Sequence, residues 1–363
     1  MKKVLFVASV TSHINSFHIP YLKWFKEQGY EVHVASNGNE KIEYCDKHFD
    51  IPFERFPIKV NNLKAYKQLK NVIDSNQYTI IHCHTPVGGV LTRLAARDSR
   101  KNNKTKVMYT AHGFHFYKGA PILNWIIYYP IEKICARWTD CLITINEEDY
   151  NLAKNKFNVK QIELVHGVGV DKDKFDFEFS NEEKSNLRNG IGLKCNEFVI
   201  IYPAELSKRK NQGMLLETMK MLKKDGYNNI KLLLPGKDSM NGKYQQMAKK
   251  MKIKENVKFL GYRKDIPKLM RISDLAVSTA KQEGLPVNIM EAMMCELPII
   301  ATDCRGNRDL IGDTISLKKG SIELERRIIK QINSSKEKVQ YKKMEKYLLE
   351  NVIQEMERIY ERK

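Results

Sequence analysis

Asp274-Leu275-Ala276-Val277-Ser278 is a short apolar run that reads as a buried strand. Glu283-Gly284-Leu285-Pro286-Val287-Asn288-Ile289-Met290-Glu291 follows it as a turn leading into a helix. Gly284 permits a tight turn, and Pro286 suits the first helical position because its missing N–H would be unpaired there anyway. Glu283 then stands just before the helix, with Glu291 about one and a half turns inside it, roughly 7 Å farther along the axis. Backbone N–H groups of the first turn lie between the two carboxylates, where the helix dipole favours an anion. Two acids beside an anion repel it unless they accept hydrogen bonds from hydroxyls. A nucleotide sugar supplies phosphate and hydroxyls together. The E-x7-E spacing alone is common on ordinary helix surfaces; the strand, glycine and proline around it give it meaning.

Outward from this stretch the chain alternates short apolar or β-branched runs with helical ones. The expected strands of the first half are Val4–Ala8, Glu31–Ala35, Thr79–His82, Val107–Ala111, Cys141–Ile145 and Ile162–Val165. After the charged stretch Asp171–Asn196 the pattern restarts with Phe198–Tyr202, Ile230–Leu234, Val257–Leu260, Leu275–Val277 and Ile299–Ala301. Strand–helix alternation argues parallel sheets covered by helices, with ligands at the carboxyl ends of the strands. Two such runs predict an α/β chain of two Rossmann-like domains facing across a cleft. The expected boundaries are 1–172 for the first domain and 173–340 for the second. In the charged stretch 341–363, Leu348, Val352, Ile353, Met356 and Ile359 recur at helical spacing.

The 363 residues suffice for two domains of ordinary size. Seven cysteines without a C-x-x-C pair read as reduced core thiols of a cytoplasmic protein. The N-terminus opens directly into a strand, with no signal-peptide pattern, and no run is apolar and long enough to span a membrane. Lys and Arg number 62 against 43 Asp and Glu, a net charge of +19 that attracts polyanions. The basic residues are dispersed, without the aromatic interleaving of RNA-binding motifs, which favours an anionic membrane surface over nucleic acid.

The segment Ser273-Asp274-Leu275, Gln282-Glu283-Gly284-Leu285-Pro286, Glu291-Ala292-Met293 and Leu297-Pro298-Ile299-Ile300-Ala301-Thr302 resembles the donor-site signature of family 4 glycosyltransferases. The likeness extends over nearly the whole chain and is nearest to the bacterial capsule and exopolysaccharide branch. It implies a retaining enzyme of the two-domain GT-B fold whose last helix crosses back onto the first domain. Val165-His166-Gly167-Val168-Gly169-Val170-Asp171-Lys172-Asp173 contains a D-x-D, but it resembles the family's interdomain hinge, so no metal is expected there.

Three further motifs gather cations or glycine at strand ends. Ala204-Glu205-Leu206-Ser207-Lys208-Arg209-Lys210-Asn211 forms an anion site at a helix start, or else a solvated charge run. By the resemblance, Lys210 binds the donor diphosphate. The family arginine is replaced by Glu205, leaving Arg209 or Lys208 to substitute. Phe259-Leu260-Gly261-Tyr262-Arg263-Lys264-Asp265 resembles the nucleobase loop, with Tyr262 or Arg263 offering a stacking surface; alternatively it is a plain turn capped by Asp265. Cys304-Arg305-Gly306-Asn307-Arg308-Asp309 opens another helix and suggests contacts to phosphates or acceptor.

All nine histidines precede residue 167. His82-Cys83-His84 and His112-Gly113-Phe114-His115 invite a zinc reading, since His and Cys are its ligands. His82 and His84 share a strand face, but the pattern brings no four ligands together, and the expected metal count is none. The resemblance instead places His112 at the donor sugar. The loop Ser9–His18 lacks the Gly-Gly pair of many relatives and any G-x-G-x-x-G. It is expected to offer His13, Asn15 or Ser16 to the acceptor. Two segments suit an anionic membrane surface: Asn62–Lys70, with Lys64, Lys67 and Lys70 along one helix side, and the aromatic-rich Phe114–Tyr129, which equally suits the core.

The expected activity is metal-independent, cofactor-free transfer of a hexose or N-acetylhexosamine from a UDP-sugar to an undecaprenyl-diphosphate-linked oligosaccharide, in surface polysaccharide synthesis. The catalytic residues expected are His112, Glu283 and Lys210. The donor is expected to be held by Arg209, Lys210, Tyr262, Arg263, Glu283, Gly284, Leu285, Pro286 and Glu291. The enzyme is expected at the inner face of the cell membrane. A UDP-sugar epimerase of the same fold and a basic nucleic-acid-binding protein are the alternatives.

Overall fold

The computed structural model describes residues 1–362 except 55, 58, 103, 315–319, 335–338, 342 and 343. Part of the C-terminal stretch expected to form a helix thus lies outside the described residues. The chain divides into two units, one of Met1–Gly167 with Ile353–Lys363 and one of Val168–Val352.

The first unit is built on seven strands: β1 Lys3–Val7, β2 Glu31–Ser36, β3 Lys47–Asp50, β4 Ile80–His84, β5 Lys106–Ala111, β6 Cys141–Thr144 and β7 Gln161–Leu164. They pair in the order β3-β2-β1-β4-β5-β6-β7, all parallel. The second unit holds β8 Phe198–Ile201, β9 Ile230–Pro235, β10 Val257–Gly261, β11 Leu275–Ser278 and β12 Ile299–Ala301, in the order β10-β9-β8-β11-β12, again all parallel. Helices on both faces bury these strands, which is why they read as unbroken apolar runs. Leu5, Val7, Ile81 and Val107 centre one core; Ile200, Leu232, Leu234 and Leu275 centre the other.

Every strand expected from sequence is present within two residues of its bounds. β3 was not expected: it is a four-residue edge strand with exposed charged ends. The segment Ser9–His18 is not a loop. Thr11–Phe17 is helical, and Ile19–Glu27 follows as a second helix with Pro20 in its first turn. The reason is an anchor at Thr11, whose hydroxyl meets Ser36 Oγ at 2.8 Å and donates to the carbonyl oxygens of Asn37 and Gly38.

Two buried features hold the first unit together. Arg93 donates to Glu132 at 2.9 Å and lies over the Tyr109 ring, 4.0 Å from its centroid. Gly89 makes this possible, because a Cβ there would sit 2.4 Å from that ring. The C-terminal helix Leu349–Glu361 brings Tyr360 to β4, where its hydroxyl meets His82 Nδ1 at 2.8 Å and its ring stacks on Trp24.

Candidate functional site

In each sheet the strand order reverses beside the first strand, between β1 and β4 in one and between β8 and β11 in the other. Connections leave these neighbours in opposite directions, so a crevice opens at their carboxyl ends. The residues singled out from sequence fall at these two places.

In the second unit, the loop after β8 carries Arg209 and Lys210, and the loop after β11 carries Glu283. Lys210 Nζ donates to Glu283 Oε1 at 2.5 Å, and Arg209 Nη1 to Glu283 Oε2 at 3.1 Å. Glu283 is buried, Lys210 nearly so, and Arg209 half-exposed. The loop is pinned from below: the Tyr202 hydroxyl donates to the Lys210 carbonyl, and Thr279 Oγ1 to those of Lys210 and Asn211. Asn211 takes the left-handed φ of 56° that lets the helix Gln212–Lys224 start there. Two cations therefore face one carboxylate at the switch point, leaving a net positive charge for an anion. Lys208 is solvent-exposed, and so is Glu205, which bonds Ser239.

The helix beyond Glu283 runs Val287–Met294, with Pro286 at its N-cap and no side chain capping it. Leu285 is buried, and Gly284 passes so close to the helix Arg305–Ile311 that a Cβ on Gly306 would sit 2.2 Å from its carbonyl oxygen. Arg305 opens the same helix and is buried, donating through Nε to the Glu283 carbonyl at 3.1 Å. Nothing in the sequence signals this role, because the cations at this helix start were expected to face a ligand rather than to turn inward to this turn. Glu291 lies half-buried on the helix among Ile289, Met290 and Ala292. Burial lifts its carboxyl to about 7, and Lys174 opposes that shift.

The structure distinguishes Tyr262 from Arg263 in the loop expected to meet the nucleobase. Tyr262 is 76% exposed and presents a free face. Arg263 instead grips Asp265 through two hydrogen bonds, so Asp265, though at the N-cap of the helix Ile266–Arg271, does not cap it. The Gly261 carbonyl is taken by the Gly236 N–H at 2.7 Å.

In the first unit the helix after β1 brings His13 and the helix junction brings His18, while His84 ends β4 and His112 follows β5. One ring nitrogen from each of the four lies within 4.8 Å of the others, so the separation of histidines drawn from sequence does not hold. His82 packs its ring 4.1 Å from that of His84 but offers no nitrogen to the group, both being taken by Tyr360 and Thr110. Burial lowers His13 to about 4 and holds His18, His84 and His112 well below their usual range. Asn15 donates to the Lys41 carbonyl and Ser16 is exposed. Between β4 and the next helix, Thr85 sits at φ 64° and ψ 149°, a region that strains a β-branched residue. Its hydroxyl, bonded to Ser9 Oγ at 2.7 Å, ties the two strand ends together.

A cavity of about 730 Å3 opens at the opposite, amino ends of the same strands, among Lys2, Trp24, Thr79, Lys106, Asp140 and Tyr360. There Arg100 pairs with Asp140, and Lys106 donates to the carbonyls of Ile359 and Arg362. The strand connections that carry the functional loops lie at the other end.

Of the two readings of the aromatic segment, the core one describes its rings: Phe114 and Phe116 are buried, and Trp125, Tyr128 and Tyr129 pack on the core. The outward face of the helix Ile122–Ala136 is aliphatic instead, exposing Ile122, Leu123, Ile126, Ile127 and Ile134. On the helix Asn61–Ser75, Lys64 and Lys67 are exposed while Lys70 is bound to Asp74 and Asp98. No helix among the described residues is long and apolar enough to cross a membrane.

Comparison with known proteins bears on both units. Residues 183–347 match the family described as glycosyl transferases group 1, and residues 3–146 match glycosyl transferase 4-like proteins. EpsD of Bacillus subtilis (strain 168), assigned as a glycosyltransferase, is 48% identical over 313 residues, 86% of this chain and 81% of its own. An Escherichia coli UDP-Gal:alpha-D-GlcNAc-diphosphoundecaprenol alpha-1,3-galactosyltransferase is 28% identical over 69% of this chain and 65% of its own. The fold is that of Anabaena HepE, solved in complex with UDP and glucose, with a TM-score of 0.77 at 16% identity over 99% of each chain.

Proposed function

The chain belongs to family 4 of the glycosyltransferases, and from that premise we propose that it transfers a hexose or N-acetylhexosamine from a UDP-sugar, with retention, to a lipid-linked oligosaccharide in capsule or exopolysaccharide synthesis. The observation that carries this reading is the meeting of Lys210, Arg209 and Glu283 at the β8–β11 switch point. The relative acting on a diphosphoundecaprenol sugar supports the lipid-linked acceptor, and the fold neighbour's UDP complex supports the donor.

The anomeric C–O bond to UDP breaks, and the acceptor hydroxyl oxygen bonds the anomeric carbon from the same face. Its proton passes to the departing phosphate oxygen. The extra negative charge on UDP falls to Lys210, Arg209 and the uncapped start of the helix Val287–Met294, so no metal is required at the diphosphate. Arrival of the diphosphate competes with Glu283 for its two cations, freeing that carboxylate to accept from sugar hydroxyls. Glu291 accepts from the ribose, and Tyr262 stacks on the base. The aliphatic face of Ile122–Ala136, flanked by Lys118, Lys133 and Arg137, rests on an anionic membrane surface.

A panel of nucleotide sugars, read by thermal stabilisation and then by transfer to a lipid-linked acceptor, tests the reading. UDP-sugars are expected to raise the melting temperature, and Lys210→Ala to abolish that rise. Equal stabilisation of the two proteins, or an epimerised sugar formed without acceptor, would overturn it.

A further inference from the structure

The four histidines at the carboxyl ends of the first sheet leave most of their ring nitrogens unpaired, His112 Nε2 meeting His84 Nδ1 at 3.4 Å. Among the described residues, His18 has neither ring nitrogen paired, and His13 Nε2 and His84 Nε2 are also buried without a partner. Leaving a buried polar atom unpaired is costly, and a native fold usually supplies a partner. No Asp, Glu or Cys joins the group, so the imidazoles face one another. His18 and His84 are 2% and 1% exposed, too enclosed for a sugar hydroxyl to reach, whereas a bare ion needs only the space between the rings.

We propose that His13, His18, His84 and His112 bind one borderline divalent transition-metal ion of the Zn2+ class. Imidazole nitrogen is a ligand such ions prefer, and four of them complete a tetrahedral shell. Bonds of about 2.05 Å place neighbouring ligand nitrogens about 3.3 Å apart in such a shell. His112 Nε2 and His84 Nδ1 already lie 3.4 Å apart, long for a hydrogen bond and close to a ligand–ligand edge. The remaining nitrogens all lie inside 4.8 Å, and closing the shell turns the rings of His18 and His84 out of their present stack, 3.8 Å between centroids. His13 and His112 are only half-buried, so the ion's charge keeps contact with water. The ion is distinct from the diphosphate chemistry of the second unit. Coordination through His112 Nε2 fixes that ring's proton on Nδ1, the atom left to donate.

The test uses the full chain stripped with a chelator, then titrated with Zn2+ by calorimetry and with Co2+ by visible absorption. The expected result is one ion per chain and the intense visible bands of tetrahedral cobalt. His13→Ala and His112→Ala should each weaken Zn2+ binding by at least about tenfold, with circular dichroism unchanged, while His48→Ala, outside the group, leaves it intact. No binding by the parent, the faint spectrum of octahedral cobalt, or unchanged affinity in both His variants would overturn the proposal.

Discussion

Glu291→Gln is expected to stabilise the ligand-free protein while weakening its hold on a uridine nucleotide. Burial lifts the Glu291 carboxyl from 4.5 to about 7. That shift, at about 1.4 kcal/mol per pH unit, makes ionisation in the folded unit cost at most about 3 kcal/mol. The folded chain then binds more protons than the unfolded chain between those two values, so stability falls as pH rises through that window. The penalty is complete at pH 8, and under about 1 kcal/mol of it remains at pH 5. Glutamine has nearly the same shape and no charge. With roughly 2–4 °C per kcal/mol for a unit of this size, its melting temperature should rise by roughly 5–10 °C at pH 8 and by about 2 °C at pH 5. Loss of a charged acceptor for two ribose hydroxyls should weaken UDP binding about tenfold at pH 8. Thermal melts with and without UDP at the two pH values read both effects. A variant no more stable than the parent at pH 8, or a gain equal at both pH values, would refute the burial argument. Undiminished UDP binding would refute the role assigned to the carboxylate.

Lys210→Ala removes a cation aimed at the leaving group, and kcat/KM should fall by about 100- to 1,000-fold in a transfer assay; a loss under threefold would remove Lys210 from the reaction. Glu132→Gln leaves Arg93 buried without its counter-charge and should destabilise the first unit by about 3–5 kcal/mol in urea unfolding, whereas a change under about 1 kcal/mol would show the pair to be dispensable. Ile126→Asp should reduce flotation with anionic vesicles while UDP-induced stabilisation stays at the parental level. Vesicle binding equal to the parent's would place the membrane contact elsewhere.

The sequence displays the sheets clearly because buried parallel strands are mostly apolar: Leu275, Ala276 and Val277 are all buried in β11. β3 stays hidden because its edge position allows Lys47 and Asp50 to face water. The anion site was half legible. Lys210, Arg209 and Glu283 each follow a strand, but their meeting depends on β8 lying beside β11, which residues 74 positions apart do not announce. The histidines teach the same lesson. Period-two spacing puts His82 and His84 on one face, yet only the pairing of β1 with β4 brings His13 and His18 to them. Thr85 gives no signal at all, since a β-branched residue is a poor occupant of its conformation.

The return of the chain to its first unit sets an order of events during synthesis. Ile353–Lys363 leave the ribosome after every residue of Val168–Val352, yet they complete the unit that began at Met1. At roughly 5–20 residues per second, the partly assembled unit waits on the order of ten to forty seconds, with His82 and Trp24 lacking Tyr360. The second unit is contiguous and can close in that interval. Translation speed over its codons, and any chaperone that shields the β4 end meanwhile, thus become determinants of yield that no equilibrium measurement would reveal.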